Sequence, residues 1–345
     1  MKFKDVFVFV LAASSILIVG LLVRVNNMHV IGTLTERFDE VFLEYGTHRS
    51  TESTTRKLFV YLTETEQCLP PYLASSSHIG DTQSCNCDVI VLSYRAKCQE
   101  SNHSHVSYLF DLNTLFASGR NVLFFAAMDR RPGYHYYIFL NDDTTLEYNK
   151  FAPEDMKKLS PFRTVETWLL DYEPVVGVLD FNHHGADYIL NFRKRSCGIN
   201  ETGRLVLPTV FYDALFNAYH HKAIEHILPY PTQYERGCVF CSNRQAMIAV
   251  EVKFGGQALL FAPVTGGNPL HRRDNNLRIK MAAREREFVE YIRQEAPAKL
   301  RSHAIFEQLK LTNVTTYLSK RSRSYCANVT RHQPIIPYKH LLSDS

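Results

Sequence analysis

Six short apolar runs recur along the chain from Lys57 onward, and they constrain its fold more than any other feature of the sequence. Each run has three to five residues, nearly all aliphatic or aromatic. They cover residues 58–62, 89–92, 108–110, 136–140, 175–179 and 258–262. Continuous apolar runs are typical of strands that are buried on both faces. We therefore predict an α/β fold with a mostly parallel central sheet flanked by helices.

Three segments between or after these runs are predicted to be helices. The first begins at Ser118, as N-cap, and continues to about Arg131, before Pro132 and Gly133 end it. The second covers residues 213–226, and the third covers residues 277–295. The remaining residues, including Cys326, are predicted to form an irregular tail.

The N-terminal segment 6–23 contains no charged residue. Eighteen helical residues span roughly 27 Å, close to the thickness of a membrane core. Lys2 and Lys4 precede the stretch and Arg24 follows it, which favours a cytoplasmic N-terminus. A cleaved signal peptide is the alternative, but the stretch exceeds the usual apolar region of such peptides and no small-x-small cleavage site follows. We expect a type II signal anchor.

These boundaries divide the chain into five expected parts. Residues 1–5 form a cytoplasmic tail, residues 6–23 the anchor and residues 24–56 a polar stem. Residues 57–310 form the lumenal domain, and residues 311–345 a C-terminal extension.

Two further signals indicate a lumenal location. Asn-x-Ser/Thr sequons occur at Asn102, Asn200, Asn313 and Asn328, all after the anchor. All eight cysteines also follow the anchor, and an even number in an oxidising compartment indicates disulfides. Four of them, between Cys68 and Cys98, are expected to form a local staple, with a connectivity that the sequence does not give.

Cys238 and Cys241 form a CxxC motif with three open interpretations. It could be a redox pair, half of a zinc site or a structural disulfide. No second CxxC motif accompanies it. We therefore favour the structural disulfide.

The strongest chemical signal is the apolar run 136–140, which ends directly in Asn141-Asp142-Asp143. Ligands of open α/β sheets bind beyond the carboxyl ends of the strands. Carboxylates at such an end can hold Mg²⁺ or Mn²⁺, which neutralise the charge of a departing diphosphate. The alternative is an acidic turn that caps the next segment.

This stretch resembles the DxD region of GT-A-type glycosyltransferases, in which an apolar strand precedes Asp-x-Asp. The resemblance implies a Rossmann-like GT-A sandwich that uses a divalent cation, Mn²⁺ or Mg²⁺, to hold the diphosphate of a sugar nucleotide. Asp143 occupies the metal-ligand position, and Asp142 the middle position near the ribose or donor sugar. Asn141 replaces the first Asp of the pattern, so it offers an oxygen without a charge.

Further residues match the same family by their order along the chain. Arg120 and Asn121 stand at the start of the first predicted helix, where many members carry an Arg-Asn pair facing the donor. His271 follows the last apolar run and matches a C-terminal metal ligand, and Arg272 could neutralise diphosphate. Solvated or structural roles are the alternatives for Arg120 and His271.

A carboxylate near the acceptor would act as general base in an inverting enzyme. Asp213, at the start of the second predicted helix, is the first candidate, and Asp180 is the second. Asp213 could instead be an N-cap. The adjacent pairs His183-His184 and His220-His221 are expected to be poor chelates, because neighbouring side chains point in different directions.

The sequence therefore favours a metal-dependent glycosyltransferase of the Golgi or endoplasmic reticulum membrane. It would move a hexosyl or N-acetylhexosaminyl group from a nucleotide-sugar donor, expected to be UDP-linked, to a hydroxyl of a glycan, glycoprotein or glycolipid. A non-catalytic lumenal binding protein on a degenerate transferase scaffold is the main alternative, and a metal-dependent phosphoesterase is another. Nucleic acid is not an expected partner, because the net charge is only +4 and no basic stripe stands out.

Overall fold

A computed structural model describes most of the chain after the predicted stem. It covers residues 57–99, 104–130, 133–150, 152–181, 205–236, 238, 241–269, 281–324 and 329–342. No helix among these residues is long and apolar enough to cross a membrane. The predicted tail, anchor and stem lie outside the described residues. So do His271, Arg272, the pair His183-His184, Cys197, Cys326 and three of the four sequons.

Nine strands of the described chain form one sheet. They are β1 (Phe59–Thr65), β2 (Cys87–Ser93), β3 (Val106–Phe110), β4 (Tyr136–Leu140), β5 (Thr145–Tyr148), β6 (Val176–Phe181), β7 (Val206–Pro208), β8 (Phe216–His220) and β9 (Ala258–Gly267). Their order is β3-β2-β1-β4-β8-β6-β9-β5, and β7 pairs with β9. All six predicted strands are present. Every residue of β4, β6 and β8 is buried, as expected of strands covered on both faces.

The sheet has a parallel half and a mixed half. Strands β3, β2, β1 and β4 are parallel to one another. Beyond β4, strand β8 is antiparallel to both β4 and β6, and β5 and β7 are antiparallel to β9. The prediction of a mostly parallel sheet is therefore correct for one half only. The mixed half was missed because β5 and β8 are not continuous apolar runs and β7, with three residues, was not predicted as a strand.

The helices lie against this sheet and against one another. They are α1 (Thr82–Cys85), α2 (Phe116–Met128), α3 (Pro161–Tyr172), α4 (Cys241–Phe254), α5 (Met281–Glu295), α6 (Ala304–Leu311), α7 (Val314–Ser324) and α8 (Lys339–Leu342). Short 3₁₀ turns occur at Met156–Lys158, Ile224–His226 and Ala298–Leu300. Helix α2 packs on β1 and β2, α3 packs on β5 and β9, and α4 packs on α5 and α7.

Two predicted helices and the predicted irregular tail need correction. Helix α2 begins at Phe116, so Ser118 is its third residue, and the Ser118 hydroxyl accepts from the Leu115 N–H at 2.8 Å. Residues 213–226 are not a helix, because β8 lies in the middle of them. Pairing with β4 and β6 overrides the local preference of a sequence without strong helix or strand signals. The tail is not wholly irregular, since it contains α6, α7 and α8.

Three disulfides lie among the described residues. Cys68 pairs with Cys98, Cys85 with Cys87, and Cys238 with Cys241. The predicted local staple is therefore confirmed as two separate pairs. The CxxC motif is a disulfide at the start of α4, and both of its cysteines are buried.

Candidate functional site

An open cleft lies at the carboxyl edge of the sheet, where β1 and β4 are neighbours. The chain continues from β1 outward to β2 and β3 and returns to the other side of β1 as β4. Such a reversal of strand order leaves a crevice at the ends of the two central strands. The cavity there has a volume of about 580 Å³. We call it the carboxyl-edge cleft.

The Asn141-Asp142-Asp143 turn forms one wall of the cleft. The Asn141 N–H donates to the Leu215 carbonyl at 3.2 Å, and the Thr144 N–H donates to the Asn141 carbonyl at 3.1 Å. These bonds hold the turn directly after β4. Asp142 and Asp143 both line the cavity, as the sequence predicts.

Arg120 enters the cleft from the first turns of α2 and is only 3% exposed. One terminal nitrogen, Nη2, donates to Asn141 Oδ1 at 3.1 Å and to the Ala214 carbonyl at 2.9 Å. The guanidinium also stacks on the Phe116 ring, 4.3 Å from its centroid. The other terminal nitrogen, Nη1, is buried and donates to no group in the described chain. Arg120 is thus a buried cation with an unused donor, and not a solvated surface charge.

Asn141 serves Arg120 in this arrangement. Its side-chain oxygen accepts the Arg120 hydrogen bond. An amide is well suited to this contact, because it leaves the negative charge of the turn on Asp142 and Asp143. The Asn141 side chain therefore has a structural role beside Arg120.

Glu64, at the end of β1, brings another carboxyl group into the cleft. Burial raises its pKa to about 8, with Arg120 opposing the shift and Glu235 and Asp142 adding to it. A Cβ on Gly119 would lie 2.6 Å from Glu64 Oε2, so only glycine allows the carboxyl this close to α2. Glu235 also contacts this helix, because its Oε2 accepts from the Ser118 N–H at 2.8 Å. Two acidic groups thus lie against the positive end of the helix dipole.

The surroundings of the acidic turn disfavour the ionised form of Asp142. Burial is the first cause that raises the pKa of Asp142, from 3.8 to about 6, and the neighbouring Asp143 is the second. Asp143 itself is 9% exposed. Crowded carboxylates of this kind are stabilised when a cation binds between them.

Another part of the cleft wall is formed by residues that follow β1 and β2. Glu66 and Arg95 form an ion pair at 2.9 Å, and both are largely exposed. Tyr94 also lies on the cavity wall. The result is an aromatic ring and an exposed charged pair on this wall.

Tyr72 connects the β1–β2 loop to the acidic turn. Its hydroxyl donates to the Asp142 carbonyl oxygen. Burial, followed by Asp143 and Asp142, raises its pKa above the ordinary value. The loop is held locally by the Cys68–Cys98 disulfide.

Among the residues that the structure describes, the other predicted site residues do not line the cleft. Asn121 has both amide atoms bonded to the Tyr230 backbone, at 2.8 and 2.7 Å. Asp213 precedes β8 at the same edge of the sheet and accepts from the Leu215 N–H at 2.9 Å. It is therefore a turn residue and not the start of a helix. Asp180, in β6 at this edge, is fully buried, and its Oδ1 accepts from the Phe181 N–H at 2.9 Å.

Four cleft residues were missed by the sequence reasoning. Glu64, Glu66, Tyr94 and Arg95 all follow or end predicted strands. The rule that singled out the acidic turn, polar side chains at the carboxyl end of a buried strand, also applies to them.

Two of the three comparisons with known proteins give no match. No family model matches the chain, and no curated protein matches it. One similar solved structure is the mannosyltransferase PcManGT from Pyrobaculum calidifontis in complex with GDP-Man and Mn²⁺. The identity is 11% and the TM-score 0.44, over 86% of this chain and 84% of that chain. This likeness is too distant to assign an activity.

Proposed function

We propose that the chain is a metal-dependent glycosyltransferase that binds a nucleotide-sugar donor in the carboxyl-edge cleft. The observation that most supports this proposal is the buried Arg120, whose Nη1 has no hydrogen-bond partner in the described chain. It lies beside the acidic turn, at the switch point of an α/β sheet. Arginine in such a position suits a phosphate oxygen. This placement supports the GT-A resemblance independently of the distant structural neighbour.

The charges in the cleft favour a cation together with the diphosphate. Glu66 is paired with Arg95, and the raised pKa of Glu64, about 8, keeps most of that group neutral at pH 7. Asp142 and Asp143 then outnumber Arg120, so a diphosphate alone would meet net repulsion. Oxygen ligands of this type fit Mn²⁺ or Mg²⁺. Bound there, the cation would neutralise charge on the diphosphate as it leaves.

The residues of the cleft wall suggest an orientation for the donor. The diphosphate would lie at Arg120 and the acidic turn, which hold the charge that matches it. The nucleoside would lie beside the residues that follow β1 and β2, where Tyr94 can stack on a base and Glu66 and Arg95 can contact its polar groups. The donor sugar would then face Asp142 and Asn268.

A base for the acceptor hydroxyl would come from the same edge of the sheet. Asp213 is the stronger candidate. Its neighbours Ala214 and Leu215 accept hydrogen bonds from Arg120 and Asn141, which places the Asp213 segment against the site. Asp180 is fully buried, whereas Asp213 is partly exposed. Residues 271 and 272 remain proposed additions to the metal and diphosphate site.

We also propose that the domain faces the lumen of the Golgi or endoplasmic reticulum, anchored by residues 6–23. Three disulfides support an oxidising compartment. Asn313, the sequon within the described chain, is exposed.

A nucleotide-sugar panel tests this proposal. Full-length protein in detergent would be assayed for donor hydrolysis and for transfer, with UDP- and GDP-linked sugars and added Mn²⁺. We expect one donor to be turned over in a chelator-sensitive way, and Asp143→Asn to remove the turnover. Saturable donor binding without turnover would instead favour the non-catalytic binding protein. That alternative is motivated by Asn141, which stands where the GT-A pattern has its first Asp. No binding of any donor would refute both.

A further inference from the structure

Three histidines meet at the edge of the sheet opposite to the carboxyl-edge cleft. His135 directly precedes β4, His220 ends β8, and His221 follows it. The sheet register pairs Tyr136 with His220, and the His221 N–H donates to the His135 carbonyl at 3.0 Å. The strand pairing therefore fixes the three backbones side by side, although a long stretch of chain separates His135 from the other two.

The three imidazole rings are in mutual contact. Their centroids are 4.7 Å apart for His135 and His220, 5.0 Å for His135 and His221, and 4.3 Å for His220 and His221. The candidate ligand nitrogens all lie within 4.8 Å of one another. In a tetrahedral zinc site, ligand nitrogens are roughly 3.4 Å apart. His135 and His221 are only partly buried, so small rotations of these side chains can close the difference.

An outer carboxylate orients His135. Its Nε2 lies 3.1 Å from Glu173 Oε1, which accepts the ring proton in the tautomer that we assign. Nδ1 is then the nitrogen that would bind a metal. A carboxylate that holds a ligand histidine in this way is a recurrent feature of zinc sites. His221 has a similar support, because its Nδ1 lies 3.4 Å from the His135 carbonyl, so Nε2 would be its ligand atom.

His220 supplies the innermost nitrogen and is 1% exposed. The Lys222 N–H donates to its Nδ1 at 3.1 Å. A metal at Nδ1 would replace this one bond, and Lys222 lies in an exposed turn, where water can accept its N–H proton. Three nitrogen donors with one side open to solvent match a cation that keeps a water as fourth ligand.

From this geometry we propose that His135, His220 and His221 bind one transition-metal cation of the zinc class. Imidazole nitrogen selects zinc, copper or nickel, whereas the oxygen ligands of the carboxyl-edge cleft select magnesium or manganese. In the part of the chain that the structure describes, this is the cluster that brings three potential ligand side chains this close together. The proposal does not depend on the function proposed for the cleft.

The test is zinc binding by full-length, chelator-treated protein in detergent, measured by calorimetry. The visible absorption of bound Co²⁺ gives a separate readout of nitrogen ligation. We expect one equivalent at the cluster, with an affinity more than about 100-fold lower in His221→Gln and in His135→Gln. His226→Gln is the matched control, because His226 is an exposed histidine outside the cluster. Asp143→Asn serves as a second control and separates this site from the cleft.

The outcomes are distinct. Loss of the tight equivalent and of the Co²⁺ spectrum in both cluster variants, with both retained in the two controls, supports the site. Absence of saturable zinc binding, or equal affinity in wild type and in both cluster variants, overturns it. Circular dichroism of the metal-free variants confirms that each one is folded. If one cluster variant does not fold, the other decides alone, because both side chains are partly exposed.

Discussion

The two ends of the pairing between β4 and β8 carry opposite chemistry. At the end where Leu140 pairs with Phe216, the chain continues into carboxylates and an open cleft. At the end where Tyr136 pairs with His220, three imidazoles pack together with a glutamate behind them. One strand register thus fixes the position of both clusters. The difference teaches that donor atoms, and not position on the sheet, decide which cation each end can hold.

The two ends also differ in how they treat charge. The carboxyl-edge cleft holds carboxyl groups whose pKa is raised, about 6 for Asp142 and about 8 for Glu64, chiefly by burial. At the histidine end, burial, followed by His221 and His135, lowers the pKa of His220 to about 3. A cation bound at the first end, as proposed, would relieve this repulsion. At the second end the lowered pKa keeps the His220 ring neutral.

The largest expected effect is at the acidic turn. Asp143→Asn removes one negative charge while keeping the shape of the side chain, and we expect turnover of the donor to fall by about 10³-fold because cation binding is weakened. Steady-state kinetics at saturating Mn²⁺ measure this. Glu154→Gln is the control, since Glu154 is 87% exposed and does not line the cleft. Full activity in Asp143→Asn would break the assignment of the cleft.

Arg120→Lys should have the next largest effect. Lysine keeps the positive charge but not the fork that contacts Asn141 and Ala214 while leaving Nη1 for a ligand. Charge-assisted hydrogen bonds contribute about 1.5–3 kcal/mol, so diphosphate affinity should fall by roughly 10- to 100-fold. Calorimetric titration with nucleoside diphosphate gives the value. If Arg120→Lys binds the nucleoside diphosphate with full affinity, only the positive charge matters, and the proposed role of the Arg120 hydrogen-bond geometry is wrong.

The effect of Mn²⁺ on stability should depend on pH at the carboxyl-edge cleft. In the unfolded chain, Asp142 and Glu64 lose their protons near their ordinary pKa values of 3.8 and 4.5. In the metal-free fold the pKa values are raised, so both groups keep their protons to higher pH. Their stabilising contribution is complete below the ordinary values and is lost as the pH rises through about 6 and about 8. A cation offsets this loss, so the Mn²⁺-induced increase in Tm should be larger at pH 8 than at pH 6.

The matched control for that experiment is Glu64→Gln, which removes the group that titrates near 8. In this variant the increase in the Mn²⁺ effect should level off above the pKa of Asp142. An Mn²⁺ effect that is independent of pH in the wild type would contradict a cation site at these carboxyl groups.

Tyr72→Phe should have a small effect. It removes the hydroxyl that donates to the Asp142 carbonyl and leaves the ring in place. A neutral hydrogen bond is worth about 1 kcal/mol, so the KM for the donor should rise about fivefold at most, with kcat nearly unchanged. A large fall in kcat would show that Tyr72 takes part in the chemistry and does more than position the turn.

The smallest effect on turnover is expected at the other end. His221→Gln should leave kcat and KM for the donor within about twofold of wild type, because no residue of the histidine cluster lines the carboxyl-edge cleft. The same kinetic assay measures this. A severe loss would mean that the two ends are coupled through β4 and β8.

Much of the parallel half of the sheet was predictable, because each of its strands is a continuous apolar run. Tyr136–Leu140 was predicted to the residue, and Asp142 and Asp143 lie at its end as expected. Helix α4 was missed, because almost every one of its residues is buried and no amphipathic pattern marks it. Strand β8 was missed because its partners β4 and β6 come from distant parts of the chain.

The two candidate sites were likewise only partly predictable from the sequence. Arg120 was predicted from its place before the acidic turn, but its bonds to Asn141 and Ala214 depend on tertiary contacts. The histidine cluster could not be predicted, because it depends on the register between β4 and β8. Adjacent histidines were expected to diverge, yet His220 ends a strand and His221 begins a turn, so both can contact His135.

The most direct measurement is calorimetric titration of the full-length protein with UDP and with GDP, in Mn²⁺ and then in excess chelator. The account predicts saturable binding of one nucleoside diphosphate that requires the cation and is weakened in both Asp143→Asn and Arg120→Lys. Binding that is unaffected by chelator and by both substitutions, or no binding of either nucleotide, would contradict it.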